Sequence, residues 1–99
     1  MIGIIVVTHG NLGSELINAA ALIKGEIDNV IPVSIDATKH VEELKKNIAA
    51  AIKKAEQGSG TLILTDLFGG TPSNLSLSFL REGKVEVLTG VNLPMLLKV

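Results

Sequence analysis

The 99-residue chain contains no cysteine. That excludes disulfides, thiolate zinc sites and thiol nucleophiles. Tryptophan and tyrosine are also absent, and the only aromatic rings are those of Phe68 and Phe79. Stacking on aromatics is therefore no major mode of ligand binding, which weighs against single-stranded nucleic acid. Neither sign of charge dominates: nine basic and ten acidic residues give a formal charge of −1. With no basic stripe there is no electrostatic footprint for a duplex, so no nucleic-acid partner is expected. No apolar run approaches the roughly twenty residues of a membrane span, and the N-terminus lacks the pattern of a signal peptide. The expectation is one small cytoplasmic domain over residues 1–99.

What is present is aliphatic. The hydrophobic fraction is 46%, enough for a core built from Ile, Leu, Val and Ala. Ile2 to Thr8 is a run of mainly β-branched residues, the pattern of a strand buried on both faces of a parallel sheet. His9-Gly10-Asn11 follows as a turn. A helix is predicted over Leu12 to Lys24, with Leu16, Ala19, Ala20 and Ile23 on one face and Gly25 as its stop. Val30 to Ile35 reads as a second strand, at a sheet edge because Pro32 cannot donate to a ladder. The second helix, about Lys39 to Gln57, repeats Val41, Leu44, Ile48, Ala51, Ile52 and Ala55. Its opposite face is charged, as a solvated face would be. A third strand, Thr61 to Asp66, precedes a third helix over Pro72 to about Arg81. Val85 to Leu88 is a fourth strand, and Leu93 to Val99 a helical stub. Such alternation implies an α/β fold: a doubly wound, mainly parallel four-stranded sheet with helices on both faces. With strand order 2-1-3-4, strands one and three are neighbours at a topological switch point, where open α/β sheets bind ligands.

Two residues then flank one crevice. His9 ends the first strand in a turn before a helix. Asp66 ends the third, ahead of Gly69-Gly70 and a helix start at Thr71-Pro72. Each has a bland alternative: His9 as a turn cap, Asp66 as a cap for the amides of Phe68 and Gly69. Together they suggest more, because a carboxylate on one imidazole N–H fixes the tautomer and frees the other nitrogen as base or nucleophile. Gly10, Asn11, Gly13, Gly69, Gly70 and Thr71 surround that nitrogen with amides and a hydroxyl suited to an anion, phosphate above all. For each glycine a tight turn is the simpler explanation.

Other chemistries lack their residues. Gly10-x-x-Gly13 is not a dinucleotide fingerprint, and there is no Walker pattern and no G-x-S-x-G elbow. A receiver domain would need an acidic pair after the first strand, where Thr8-His9-Gly10 stands. His9 with Asp66 is too few ligands for a metal site, so no metal and no cofactor is expected. His40, at the start of the charged helix, reads as a surface histidine. Phe68 is either packed under its loop or exposed for partner docking.

Three linked segments carry a family resemblance: Ile4 to Gly10, Thr65 to Asn74, and Thr89 to Met95. In order and spacing they resemble the IIA component of the mannose-family sugar phosphotransferase system, over essentially the whole chain. The resemblance implies a phosphotransferase in which His9 takes a phosphoryl group from the phosphocarrier protein HPr. It then passes to a IIB domain and on to a sugar entering through the membrane components IIC and IID, the protein's only link to a membrane. It further implies that Asp66 orients and charge-balances His9 and that Thr71 contacts the phosphoryl group. Family domains continue with a fuller helix and a further strand that in some members helps build a dimer. In their absence Leu93, Met95, Leu96 and Val99 are expected to be left bare, and the chain to form a homodimer. Two alternatives stay open: a non-catalytic flavodoxin-like module binding a phosphorylated small molecule, and a regulatory domain using the same phosphohistidine.

Overall fold

A computed structural model describes residues 2–25, 29–36, 38–55, 58, 60–66, 74, 76–77, 79 and 84–98. Four strands, β1 (Gly3–His9), β2 (Val30–Ile35), β3 (Thr61–Thr65) and β4 (Val85–Thr89), form one sheet. The order is β2-β1-β3-β4 and every pairing is parallel. This is the architecture that the alternating pattern implies. β2 lies at the edge, and Pro32 stands opposite Val6 in the register. Three helices are described: α1 (Leu12–Lys24), α2 (Val41–Ala55) and α3 (Leu93–Lys98). The helix expected over Pro72 to Arg81 lies mostly outside the described residues, although Asn74, Ser76 and Leu77 are helical.

β1 is the hinge of the core. Its first six residues are all buried, and the strand surfaces only at His9. Ile5 and Val7 join Ile63 under Leu44, Ile48, Ala51 and Ala55 of α2. Ile4 and Val6 join Leu64 under Ala20 of α1 and Leu96 of α3. Successive strand residues point to opposite faces, so one apolar run feeds both layers. Each fully buried aliphatic side chain stabilises the fold by about 1.5–3 kcal/mol.

Three expectations need correction. Helical spacing puts Ile23 on one face of α1 with Leu16, Ala19 and Ala20, yet Ile23 is exposed. The buried stripe of α1 runs through Gly13 and Ala20, with Leu16 and Ile17 at its sides, and Ile23 falls off its edge. Val41, the first residue of α2, is likewise exposed, since the stripe in contact with the sheet starts at Leu44. Leu96 was expected to be bare but is only 4% exposed, with Met95 and Leu97 packed against the same cluster. A short helix suffices to cover that face because Lys24 Nζ donates to the Leu97 carbonyl at 3.0 Å, tying α3 to the end of α1. The side chains of Leu93 and Val99 lie outside the described residues. The exposed aliphatics include Leu22, at 90%, and Leu88 on the edge strand β4.

Ile48 is completely buried between α2 and the sheet. Ile48→Ala should cost about 2–5 kcal/mol, whereas Leu22→Ala should stay within about 0.5 kcal/mol of the parent. Denaturant midpoints measured at constant slope report both, and equal midpoints for the two variants would contradict this packing.

Candidate functional site

The site lies at the carboxyl edge of the sheet, where β1 and β3 end side by side. Asp66 follows β3 directly, and its carboxylate reaches across to β1. Oδ2 lies 2.9 Å from His9 Nδ1 and accepts the His9 backbone N–H at 3.1 Å. An ionised carboxylate can only accept, so the proton of this contact sits on Nδ1 and Nε2 keeps its lone pair. The two side chains differ sharply in exposure, 52% for His9 and 9% for Asp66. Partial burial pushes the Asp66 carboxyl up. The His9 ring, the His9 amide, the imidazole's charge and Asp66's own amide together outweigh it and hold the group below the ordinary carboxylate value.

The turn after His9 is fixed from two further sides. Gly10 takes φ +54°, the left-handed region that glycine enters without cost, and its amide donates to the Ile35 carbonyl at the end of β2 at 3.2 Å. Asn11 is the N-cap residue of α1. Its side chain makes no capping bond, while its carbonyl accepts the Glu15 amide at 3.0 Å. The capping acceptor comes instead from the strand: the fully buried Thr8 Oγ1 accepts the Gly13 amide at 2.7 Å. Gly13 permits this approach, since a Cβ there would stand 3.1 Å from Thr8 Oγ1 and 3.2 Å from the Val6 carbonyl.

The structure thus brings His9, Asp66, Gly10 and Asn11 together. The amides of Gly10 and Gly13, both expected to serve an anion, are already committed to Ile35 and Thr8. Those of Asn11 and Leu12 have no acceptor among the described residues. Phe68, Gly69, Gly70 and Thr71 lie outside the described residues. On the far side of Asp66, the Val91 amide donates to the Thr65 carbonyl at 2.8 Å, and Asn92 Oδ1 caps α3 by accepting the Met95 amide at 2.9 Å. Sequence reasoning missed Thr8. The available signal was a hydroxyl residue beside the histidine in an otherwise apolar strand, with glycine five positions on.

The family described as PTS system fructose IIA component matches residues 3–99. The chain belongs to that family. Among similar proteins, the fructose-specific EIIA component of the phosphotransferase system (PTS) in Bacillus subtilis is 35% identical over all of this chain and 68% of that protein. The sorbose-specific EIIA component of Lacticaseibacillus casei is 37% identical over 97% of this chain and 70% of that protein. A solved PTS IIA protein associated with the fucose utilization operon of Streptococcus pneumoniae superposes with TM-score 0.89 at 30% identity. It covers 97% of this chain and 74% of that one. Phosphotransferase system component EIIA from Streptococcus agalactiae gives TM-score 0.84 at 32% identity, with the same coverage. Membership assigns this EIIA domain to phosphoryl transfer in sugar uptake.

No helix among the described residues of the EIIA domain is long and apolar enough to cross a membrane. None of its described His, Asp and Glu residues cluster in threes as a metal site would require. A groove between β2 and α2, lined by Ile31, Pro32, Ser34, Asn47 and Lys54, holds neither His9 nor Asp66.

The depressed Asp66 value makes an acid-side prediction. Between the folded value and the ordinary value of about 3.9 the unfolded chain binds more protons, so stability rises with pH there. The contribution of Asp66 is complete above about pH 4 and is lost as pH falls through the folded value. Asp66→Asn should flatten that part of the stability–pH curve. Carbon-13 titration of the Asp66 carboxyl should show a midpoint below 3.9, and an ordinary midpoint would count against the pairing.

Proposed function

We propose that this EIIA domain is a cytoplasmic phosphoryl carrier: His9 accepts a phosphoryl group from phosphorylated HPr and passes it to a IIB domain. The observation that carries the reading is the 2.9 Å contact between His9 Nδ1 and Asp66 Oδ2 on a half-exposed imidazole. The Nε2 lone pair attacks phosphorus, and the bond to the donor breaks with its electron pair leaving on the donor. The Nδ1 proton stays in place. The positive charge that develops on the ring lies against the Asp66 carboxylate, and transfer to IIB reverses the step.

Phosphoryl transfer is largely positioning plus charge stabilisation. The first turn of α1 supplies the second. The Asn11 and Leu12 amides of that turn, which have no acceptor among the described residues, and the helix dipole favour an anion there by about 0.3–1 kcal/mol. Gly10 serves through its conformation, since its amide is bonded to Ile35. In the same reading Gly69, Gly70 and Thr71 complete the phosphate shell, Phe68 meets a partner protein, and no metal is needed. The exposed aliphatics Ile23 and Leu88 favour self-association. Sedimentation should therefore give a homodimer, and a monomer at high concentration would count against it.

Incubation with phosphoenolpyruvate, Enzyme I and HPr should add one acid-labile, base-stable phosphate. His9→Ala should fold and take none, because the exposed last residue of β1 leaves no core cavity when truncated. His40→Ala should take it at the parent rate. Persistent labelling of the His9 variant would remove the site assignment, and an unlabelled parent would leave a module that only binds phosphorylated molecules.

Asp66→Asn should slow labelling about 10²–10³-fold, since the α1 amides still hold the phosphate while the charge balance and the tautomer preference are lost. Nitrogen-15 shifts of the His9 ring should show that loss of tautomer preference. A parent rate together with a parent tautomer would mean that the two residues are not partners.

A further inference from the structure

We propose that Thr8 is a positioning residue for phosphoryl transfer, acting through the first turn of α1; the inference rests on the reading of His9 as the acceptor. Thr8 is completely buried, and its hydroxyl accepts the Gly13 amide at 2.7 Å. A buried hydroxyl in an apolar strand costs free energy unless it is hydrogen-bonded, and here its partner is the helix that begins the site. The usual capping residue, Asn11, makes no side-chain bond. The register of α1 against β1 is therefore set from the residue directly before the nucleophile.

Two consequences follow for the chemistry. First, three consecutive residues are anchored to three different elements: Thr8 to α1, His9 to Asp66 beyond β3, and Gly10 to the end of β2. The imidazole thus extends from a main chain that cannot rotate away from the phosphate. Second, with Gly13 held by Thr8, the first-turn amides without an acceptor among the described residues, those of Asn11, Leu12 and Ser14, are the ones left for an anion. Removing the hydroxyl leaves the Gly13 amide buried without its acceptor, so the first turn must shift to find one. A displacement near 1 Å at a reacting centre can cost about 10²-fold in rate.

Thr8→Val keeps the shape and deletes the acceptor, whereas Thr8→Ser keeps the acceptor. Both would be phosphorylated by phospho-HPr at a temperature where circular dichroism shows them fully folded. Thr8→Val should transfer about 10–100-fold more slowly than the parent, with KM for phospho-HPr unchanged, because a buried residue cannot touch the donor. Thr8→Ser should recover to within about threefold, and the Gly13 amide resonance should move in the valine variant only. A folded Thr8→Val at the parent rate would overturn the inference and leave the His9 reading intact. So would a change confined to KM, or a serine variant as slow as valine. An unlabelled parent would instead remove the His9 reading, and the role of Thr8 with it. Should Thr8→Val not fold, Gly13→Ala crowds the same contact from the helix side, and a parent rate in that variant would be equally fatal.

Discussion

A carboxylate drawn out of water raises the free energy of its charged form unless donors replace the lost hydration. At 9% exposure Asp66 has given up most of its water, yet it ionises more readily than an ordinary aspartate. The donors that achieve this come largely from one residue, the ring and the backbone amide of His9. The dependence is mutual: the carboxylate is what holds the His9 proton on Nδ1, the nitrogen that faces it. The site is one two-residue unit whose halves lie 57 positions apart in the chain.

Sheet topology is what closes that distance. The chain lays β2 on one side of β1 and then crosses to lay β3 on the other. The register pairs Val7 with Thr65, so the strands end within two residues of each other. If β4 rather than β3 lay beside β1, two strand spacings, about 9.6 Å in place of about 4.8 Å, would separate His9 from the end of β3. The hydrogen bonds of Asp66 would then be out of reach. The buried run from Gly3 to Thr8 thus does more than fill the core: it fixes where the first exposed residue emerges.

Much of this was legible because it rests on composition and period. The β-branched run of β1, the four-and-three spacing of Leu44, Ile48, Ala51 and Ala55, and Pro32 on an edge each follow from one local rule, and the structure obeys each. The meeting of His9 with Asp66 was legible once the strand order was assumed, since both end strands at the same edge. Packing between elements was not. Ile23 matched the helical period, but a period does not say where the neighbouring layer ends. Leu96 lay in a short segment, and no periodicity announces that six residues will be held down by Lys24. Thr8 escaped for a related reason: its value lies in a partner on another element, and a threonine in a strand is ordinary β propensity.

The unequal exposure of the two residues has a physical logic for a domain that, as proposed, serves two proteins in turn. Both partners must reach the reacting nitrogen, so the imidazole has to project from the surface. Each docking event also displaces water, and a charge pair that relied on solvent would shift its balance with every partner. Placing the nucleophile on the exposed side and its counter-charge on the shielded side separates these demands. His9 can meet either partner at Nε2, while the contact that sets its tautomer lies beneath at Nδ1. A deep pocket would protect a phosphoryl group better but admit neither protein. An exposed pair would admit both and let water compete for the carboxylate.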